Sequence, residues 1–275
     1  MGLVLASLCL ATPAQAQEPA KATKKKKAPP PAAPVNIDVG ATRADLLSPD
    51  VDKAAAAAGK LGQSRQAGTV DALLDALAMG LHPRVAAAAI DAVGGRQDPH
   101  AIEVLLHYVK NRNPDVRART VAALGQLDDK RAAAAWKRAL RDGDATVRAA
   151  AIKTALGRKD GSVARELLAL MKKGDEATPA AVAAVAGPDL AIKVAELIGD
   201  APDRLVAECL GALLLRRDLG KEDIYVEMVR ALGKIPGDEA VVALTAFISA
   251  TPEKPIRQSR REAQTIYEQR VGGKN

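Results

Sequence analysis

Three histidines and two cysteines, Cys9 and Cys209, are the residues of this sequence with the most versatile chemistry, because such side chains bind metals or act in catalysis. The histidines are His82, His100 and His107. His100 and His107 are seven residues apart and can lie on one side of a helix, but no cysteine or carboxylate pattern completes a metal site around them. Cys209 lies in the apolar segment 205–210, where a thiol usually packs as a small hydrophobic group. We therefore expect no metal site and no redox thiol.

The sequence lacks the motifs of the common catalytic and nucleotide-binding sites. It contains no glycine-rich phosphate loop, no Gly-x-Ser-x-Gly turn and no recognisable pair of nucleophile and base. The sequence accordingly predicts a non-enzymatic protein, with no catalytic residue and no cofactor.

The net positive charge of the 275-residue chain is concentrated at its two ends. Residues 1–41 and 251–275 each carry a net charge of +3, whereas the body between them carries only +1. A protein that holds a nucleic acid needs positive charge on the folded surface that faces the phosphates. We therefore expect no nucleic-acid partner. The apolar content of 48% is typical of globular proteins, and the aromatic content of only 2% favours closely packed helices over a β-sandwich or barrel.

The N-terminal residues predict export followed by a tether. An apolar stretch over 3–11 and the small-residue triplet at 14–16 are typical of a signal peptide, residues 1–16, that is cleaved before Gln17. Residues 17–41 are rich in Lys, Pro and Ala and predict a disordered linker. Its basic run is either a solubilising spacer or a contact for an anionic membrane or envelope polymer. That run consists of Lys24, Lys25, Lys26 and Lys27. We expect the protein in the periplasm or cell envelope of a bacterium.

Three segments of the chain repeat with a period of 31 residues. They carry the pairs Arg84-Val85, Val116-Arg117 and Val147-Arg148, and an aliphatic residue follows each valine by five positions. Each segment comes after a turn with Pro, Asn, Asp or Gly, which are residue types that start and cap helices. The stretches between the segments are amphipathic too, so one period predicts two antiparallel helices. A pair this small cannot bury its own apolar face, and the repeats are therefore predicted to stack into a solenoid.

Two residues within the repeats have predicted structural roles. Gly125 is expected to end its helix, because glycine tolerates the left-handed conformation that is common there. Trp136 has helical spacing with Ala133 and Leu140 and is predicted to lie in the core.

The segments VRARTVAALG and DGDATVRAAAIKTALG resemble the HEAT repeat, in particular the short HEAT-like repeats of phycobilisome lyases. The resemblance extends from about Val51 to Met171. It implies an all-α fold, an α-solenoid of the HEAT/armadillo type, in which the Val-Arg helix lines the inner, concave face. It also implies structural arginines, each paired with an Asp six residues earlier in a ladder along the stack. Asp142 and Arg148 have this spacing, and Asn111 and Arg117 have it in part.

The domain organisation and the candidate partner contacts follow from the same pattern. We expect regular repeats over 42–173, then degenerate helical repeats and a C-terminal cap over 174–275, continuous with the same solenoid. On the inner face, Arg119 and Lys153 are the candidates for contact with an acidic partner. The last helix carries four arginines that suit a polar cap or, alternatively, a docking patch. These are Arg257, Arg260, Arg261 and Arg270.

Three functional hypotheses are compatible with these features. The first is a scaffold for protein–protein interaction in the cell envelope, monomeric and with another protein as partner. The second is an accessory or lyase-like enzyme built on HEAT-like repeats, with a pocket formed by residues 174–220. The third is a spacer that associates electrostatically with the envelope surface. A repeat signature transfers architecture rather than activity, so the first hypothesis needs the fewest additional features.

Overall fold

A computed structural model of the protein describes residues 35–272, and every regular element in this range is a helix. The predicted all-α solenoid is confirmed. The α-helices are α1 (Val39–Leu46), α2 (Val51–Gln63), α3 (Thr69–Met79), α4 (Pro83–Gly94), α5 (Ile102–Tyr108), α6 (Pro114–Leu124), α7 (Lys130–Ala139), α8 (Ala145–Arg158), α9 (Ala164–Lys172), α10 (Thr178–Val185), α11 (Pro188–Ala195), α12 (Asp203–Leu214), α13 (Glu222–Lys234), α14 (Asp238–Ala250) and α15 (Gln258–Gly272).

Alternate helices lie side by side and form two layers. The even-numbered helices from α2 to α14 form layer B, in which each helix packs on the next. The odd-numbered helices from α3 to α13 each pack against layer B and form layer A, in which α3, α5 and α7 contact one another in turn and α11 contacts α13. Helix α1 contacts both layers at one end of the stack, and α15 contacts both at the other. The Val-Arg helices of the sequence repeat are α4, α6 and α8, so all of them belong to layer B.

Helices α4, α6 and α8 of layer B begin at the turn residues that predict them, and α2 is capped in the same way. Asp50 accepts hydrogen bonds from two backbone N–H groups at the start of α2, and Asn113 and Asp144 each accept one at the start of α6 and α8. His82 caps α4 through its ring nitrogen, and Pro83 follows at the first helical position. Such caps satisfy N–H groups that have no partner inside the helix.

The core consists of two clusters of buried apolar side chains that meet in α6 and α7. Most of their members are Ala, Val and Leu, which agrees with the low aromatic content. Trp136 of α7 is fully buried, as predicted.

Trp136 is the only tryptophan of the chain and provides a spectroscopic test of this core. Because its indole is shielded from water, we expect its emission at a shorter wavelength than that of free tryptophan, with a shift to longer wavelength on unfolding. The measurement is a fluorescence-monitored urea titration. Emission like that of free tryptophan in the native protein would contradict the buried position.

Glycines at the ends of layer B helices allow the close approach of neighbouring helices. A Cβ atom added to Gly62 of α2 would lie 2.5 Å from the Cβ of Ala92, and one added to Gly94 would lie 2.8 Å from the Cβ of Ala123. Gly125 lies similarly close to Thr154 of α8. Gly125 follows the last residue of α6, as predicted, but the reason given for a glycine there is wrong. Its φ of −63° lies in the right-handed helical region, so no left-handed conformation requires glycine at this position. Glycine is required there by the neighbouring helix and not by the local backbone.

The first helix lies partly in the segment that was predicted to be a linker, residues 17–41. Asp38 caps α1 by accepting a hydrogen bond from the backbone N–H of Ala41, and the backbone N–H of Ile37 donates to the side chain of Gln66 at 2.8 Å. Leu46 at the end of α1 is buried in the core. The ordered chain therefore extends into that segment because α1 covers the first repeat. The predicted signal peptide, 1–16, and the lysines at 24–27 lie outside the described residues.

Candidate functional site

The exposed side of layer B is the surface on which the sequence predicts partner contacts. From α2 to α6, ion pairs cross it from helix to helix. Arg84 of α4 contacts Asp52 of α2 at 2.6 Å. Arg119 of α6 contacts Asp91 of α4 and also, at 3.1 Å, Asp115 of its own helix. The hydrogen bond to Asp115 raises the pKa of Arg119 above its ordinary value.

The two predicted partner-binding residues differ in their surroundings. Arg119 is held between the two carboxylates of Asp91 and Asp115, so a partner would have to compete with them. Lys153 of α8 is exposed and forms no ion pair or side-chain hydrogen bond with any residue in the described range. Lys153 is therefore the more available of the two cations.

Arg117 and Asp142 form an ion pair between repeats through two hydrogen bonds. The guanidinium of Arg117 donates from Nε and Nη2 to the two carboxylate oxygens of Asp142, at 3.0 and 2.9 Å. Both side chains are only 19% exposed. The hydrogen bond from Arg117 lowers the pKa of Asp142 below its ordinary value, with a smaller contribution from the backbone N–H of Asp144.

The next repeat shows the same arrangement and corrects the predicted pairing. The carboxylate of Asp142 pairs with Arg117 of the preceding repeat, whereas Arg148 pairs with Asp175 of the following one at 3.2 Å. Arg148 contacts Asp142 only through the backbone, by donating from Nη1 to its carbonyl oxygen at 3.1 Å. Arg117 contacts the carbonyl of Asn111 in the same way. Each arginine therefore holds its own turn through a carbonyl and joins the next repeat through a carboxylate.

Asp175 is a member of this ladder that reasoning from the sequence missed. The acids follow their arginines by 25 and 27 residues, and Asp175 lies after Gly174, where the repeat pattern weakens. A search for an acid near one period after each Val-Arg pair would have found it.

A second set of arginines joins the ends of helices in adjacent repeats, and no pattern in the sequence predicts these contacts. Each member donates to a backbone carbonyl at or just beyond the C-terminal end of an earlier helix, where carbonyls lack partners. The pairs are Arg96 with Ser64 at 2.6 Å, Arg158 with Gly125 at 3.0 Å, Arg216 with Ala183 at 2.6 Å and Arg270 with Gly233 at 2.8 Å. Positive charge is favoured at these negative helix ends.

Two of the four C-terminal arginines are structural. Arg260 is only 7% exposed and donates to the carbonyl of Ile248 at 2.8 Å, near the end of α14. Arg270 caps α13, as described above. Arg261 is exposed and has no ion pair within residues 35–272. These contacts fit a cap on the stack, the first of the two roles predicted for the last helix.

Between α12 and α14 the exposed side of layer B carries an apolar groove of about 470 Å³. Gly211 and Ala243 line it, and their close packing brings the two helices together. Two large apolar side chains project from it, Leu215 at 51% and Val242 at 67% exposure. Glu208 is the exposed acid of α12 beside them. We call this surface the layer B groove.

The three histidines lie apart in the structure. His82 caps α4, and His100 contacts Asp98 at 2.8 Å. His107 packs edge-on against the ring of Tyr108. Within residues 35–272, no group of three or more His, Cys, Asp or Glu side chains is arranged to hold a metal ion.

Cys209 is fully buried in α12, and this burial raises the pKa of its thiol to about 12. Because the thiolate is the reactive form, the native thiol should be unreactive at neutral pH. With Cys9 replaced by Ser, we expect a disulfide reagent to label the native protein at least about 100-fold more slowly than the urea-unfolded chain. Equal labelling rates would show that α12 is open to solvent.

No helix among residues 35–272 is long and apolar enough to cross a lipid bilayer.

Comparisons with known proteins agree with the repeat pattern. A family model of HEAT repeats matches residues 70–154 and again 102–186, two windows that begin about one repeat apart. Comparison with the curated proteins found no match. The crystal structure of Kap121p is similar in fold, with a TM-score of 0.54 and 13% identity over 84% of this chain and 32% of that one. The chain thus spans about a third of Kap121p.

Two further solved structures align over most of their length but with lower TM-scores. One is the complex of CpcE and CpcF of phycocyanin lyase from Nostoc sp. PCC7120, at 18% identity over 90% of this chain and 98% of that one, with a TM-score of 0.46. The other is human deoxyhypusine hydroxylase, at 20% identity over 84% and 96%, with a TM-score of 0.38. The protein is an α-solenoid whose central part, residues 70–186, matches a family model of HEAT repeats.

Proposed function

We propose that the protein is a non-enzymatic scaffold that binds another protein through the exposed side of layer B, and that it does so in the bacterial cell envelope. The layer B groove carries this proposal. Leu215 and Val242 project from one apolar groove, and a cluster of exposed apolar side chains is more typical of an interaction surface than single ones are. A stack of repeats suits such binding, because it presents one extended surface.

We propose a contact that lies further along layer B than the sequence alone suggests. Arg119 lies in the half of the surface where carboxylates of the same chain already neutralise the arginines. Lys153 of α8 lies between that half and the groove, and it keeps its role as a candidate contact for an acidic group of the partner. The groove supplies the apolar area that a stable complex needs at its centre.

Site-specific crosslinking tests the proposal. A photoreactive amino acid at Val242 in the full chain should give one dominant protein adduct in the envelope fraction of the native host. The matched control is the same amino acid at Met79, which is also exposed, at 62%, but lies at the end of α3 in layer A. A dominant adduct at 242 that is absent at 79 is the expected result. Equal adducts at both positions, or none at 242, would contradict the proposal.

The location in the envelope is supported by the sequence of residues 1–16 and has its own test. We expect the mature protein to begin at Gln17, as determined by mass spectrometry of the protein isolated from its host. A mature chain that begins at Met1 would contradict the proposed location in the cell envelope.

The other two hypotheses predict different results. The spacer hypothesis predicts salt-sensitive sedimentation with anionic vesicles, which is lost when the four lysines at 24–27 are changed to Ala. The accessory-enzyme hypothesis predicts a chemical change in the crosslinked partner that depends on this protein. The activity of the phycocyanin lyase complex is a property of that complex, and the scaffold proposal uses only the repeat architecture.

A further inference from the structure

Layer A carries two adjoining grooves on the side of the molecule formed by α5, α7 and α9. The first, of about 510 Å³, lies between α5 and α7, and the second, of about 660 Å³, lies between the end of α7 and α9. They share Arg141 and Asp142 and therefore adjoin each other. Apolar side chains contribute to both of them, namely Leu106, Val109, Ala135 and Ala139 in the first and Leu140, Ala169 and Leu170 in the second.

Each carboxylate in these grooves is neutralised within the chain. Asp142 and Asp175 belong to the arginine ladder described above. Glu166 of α9 contacts Arg141 at 2.8 Å. No acidic side chain that lines the grooves is thus left to balance a further cation.

Four cations that line the same grooves have no such partner. Each is exposed and forms no ion pair or side-chain hydrogen bond with another residue of the described range. They are Lys110 and Arg138 in the first groove and Arg165 and Lys173 in the second. The surface therefore combines an apolar lining with four unneutralised positive charges, although the body of the chain is nearly neutral in sum.

We propose that these two grooves bind an acidic protein segment that carries apolar side chains, such as one face of an acidic amphipathic helix. The cations attract its carboxylates, and the apolar lining accepts the side chains between them. A nucleic acid is a poorer occupant, because no aromatic side chain lines either groove for base stacking and the apolar lining offers nothing to phosphates. This site lies on layer A and does not depend on the layer B groove.

Fluorescence anisotropy with the full chain tests the inference. The probe is a labelled 18-residue peptide of Glu, Ala and Leu with two leucines four residues apart. The same peptide with Lys in place of Glu and a labelled 18-base-pair DNA duplex are the comparison probes. The groove variant is Arg138→Glu with Arg165→Glu, and Arg138→Gln with Arg165→Gln is a milder form of it. The matched control is Lys60→Glu with Arg261→Glu, which changes the same net charge at exposed cations elsewhere.

We expect the groove variant to bind the acidic peptide about ten-fold more weakly than the unchanged protein at physiological salt, and the Gln form to lie between them. The control variant should bind within about two-fold of the unchanged protein. Three results would overturn the inference: equal loss in the groove and control variants, tighter binding of the DNA or of the Lys peptide, or no binding of the acidic peptide up to about 1 mM. Circular dichroism confirms that each variant keeps its helices.

Discussion

Changing Gly62 to Ala should destabilise the protein by about 2–3 kcal/mol, although alanine is normally the better helix residue. The added methyl group would lie 2.5 Å from the Cβ and 3.0 Å from the Cα of Ala92 in the next layer B helix. A clash with a backbone atom cannot be relieved by a rotamer change, so α2 and α4 must move apart. Chemical denaturation of the variant, followed by circular dichroism, measures the change in free energy of unfolding.

Gly59 of the same helix provides the matched control. A Cβ atom added there meets no other atom within 4 Å. Gly59→Ala should therefore stabilise the protein by about 0.5–1 kcal/mol through helix propensity alone. If the two substitutions had the same effect, close packing in layer B would not be what requires glycine at position 62.

Replacing Asp142 with Ala should lower the free energy of unfolding by about 2 kcal/mol, because it removes the ion pair between two repeats and leaves the largely buried guanidinium of Arg117 without its carboxylate partner. Both hydrogen bonds from Arg117 and the one from the N–H of Asp144 would be lost. In a double-mutant cycle, Arg117→Ala and Asp142→Ala should show a coupling of about 1–2 kcal/mol. Additive effects would mean that the two side chains do not stabilise each other.

The same ion pair should make the free energy of unfolding depend on pH in the acid range. Because the hydrogen bond from Arg117 lowers the pKa of Asp142 in the folded state, the contribution of Asp142 is complete above its ordinary pKa of 3.8. It is lost as the pH falls from that value through the lowered pKa. The stability difference between the unchanged protein and Asp142→Asn should therefore shrink below about pH 3.8 and stay constant from pH 5 to 7.

Asp128 is the control for the ion-pair prediction. Its carboxylate contacts Arg158 at 3.3 Å but is fully exposed, so water screens the attraction and the ion pair contributes little to stability. Asp128→Ala should leave the denaturation midpoint unchanged. A loss as large as that of Asp142→Ala would show that burial is not what distinguishes the ladder.

The sequence predicts the fold well because the repeat is a local signal. The turn residues before each Val-Arg pair and the helical spacing of the apolar positions lie within a few residues of the structure that they specify, and they recur with a period of 31 residues. The positions of α4, α6 and α8 and the burial of Trp136 follow directly. The linker predicted over 17–41 extends too far, because α1 has too few apolar residues for its sequence to indicate a helix. Helix α1 is held in place by its contact with α2.

Contacts between repeats were harder to predict, since they depend on how one repeat is placed on the next. The resemblance to HEAT repeats implied that Asp142 pairs with Arg148, whereas stacking brings its carboxylate to Arg117. Gly125 was attributed to a helix end for the same reason, and its real constraint is Thr154 one repeat later. The grooves of both layers arise from side chains far apart in the chain, and no sequence pattern marked them.

The scaffold account is tested most directly by the affinity of the purified protein for the partner that crosslinks at Val242. Isothermal titration calorimetry should show that Val242→Glu with Leu215→Glu weakens this affinity at least about ten-fold, because two charges would enter an apolar contact. Met79→Glu with Leu47→Glu, at exposed apolar residues outside the layer B groove, should leave it unchanged. Unchanged affinity in the groove variant, with both variants folded, would contradict the account.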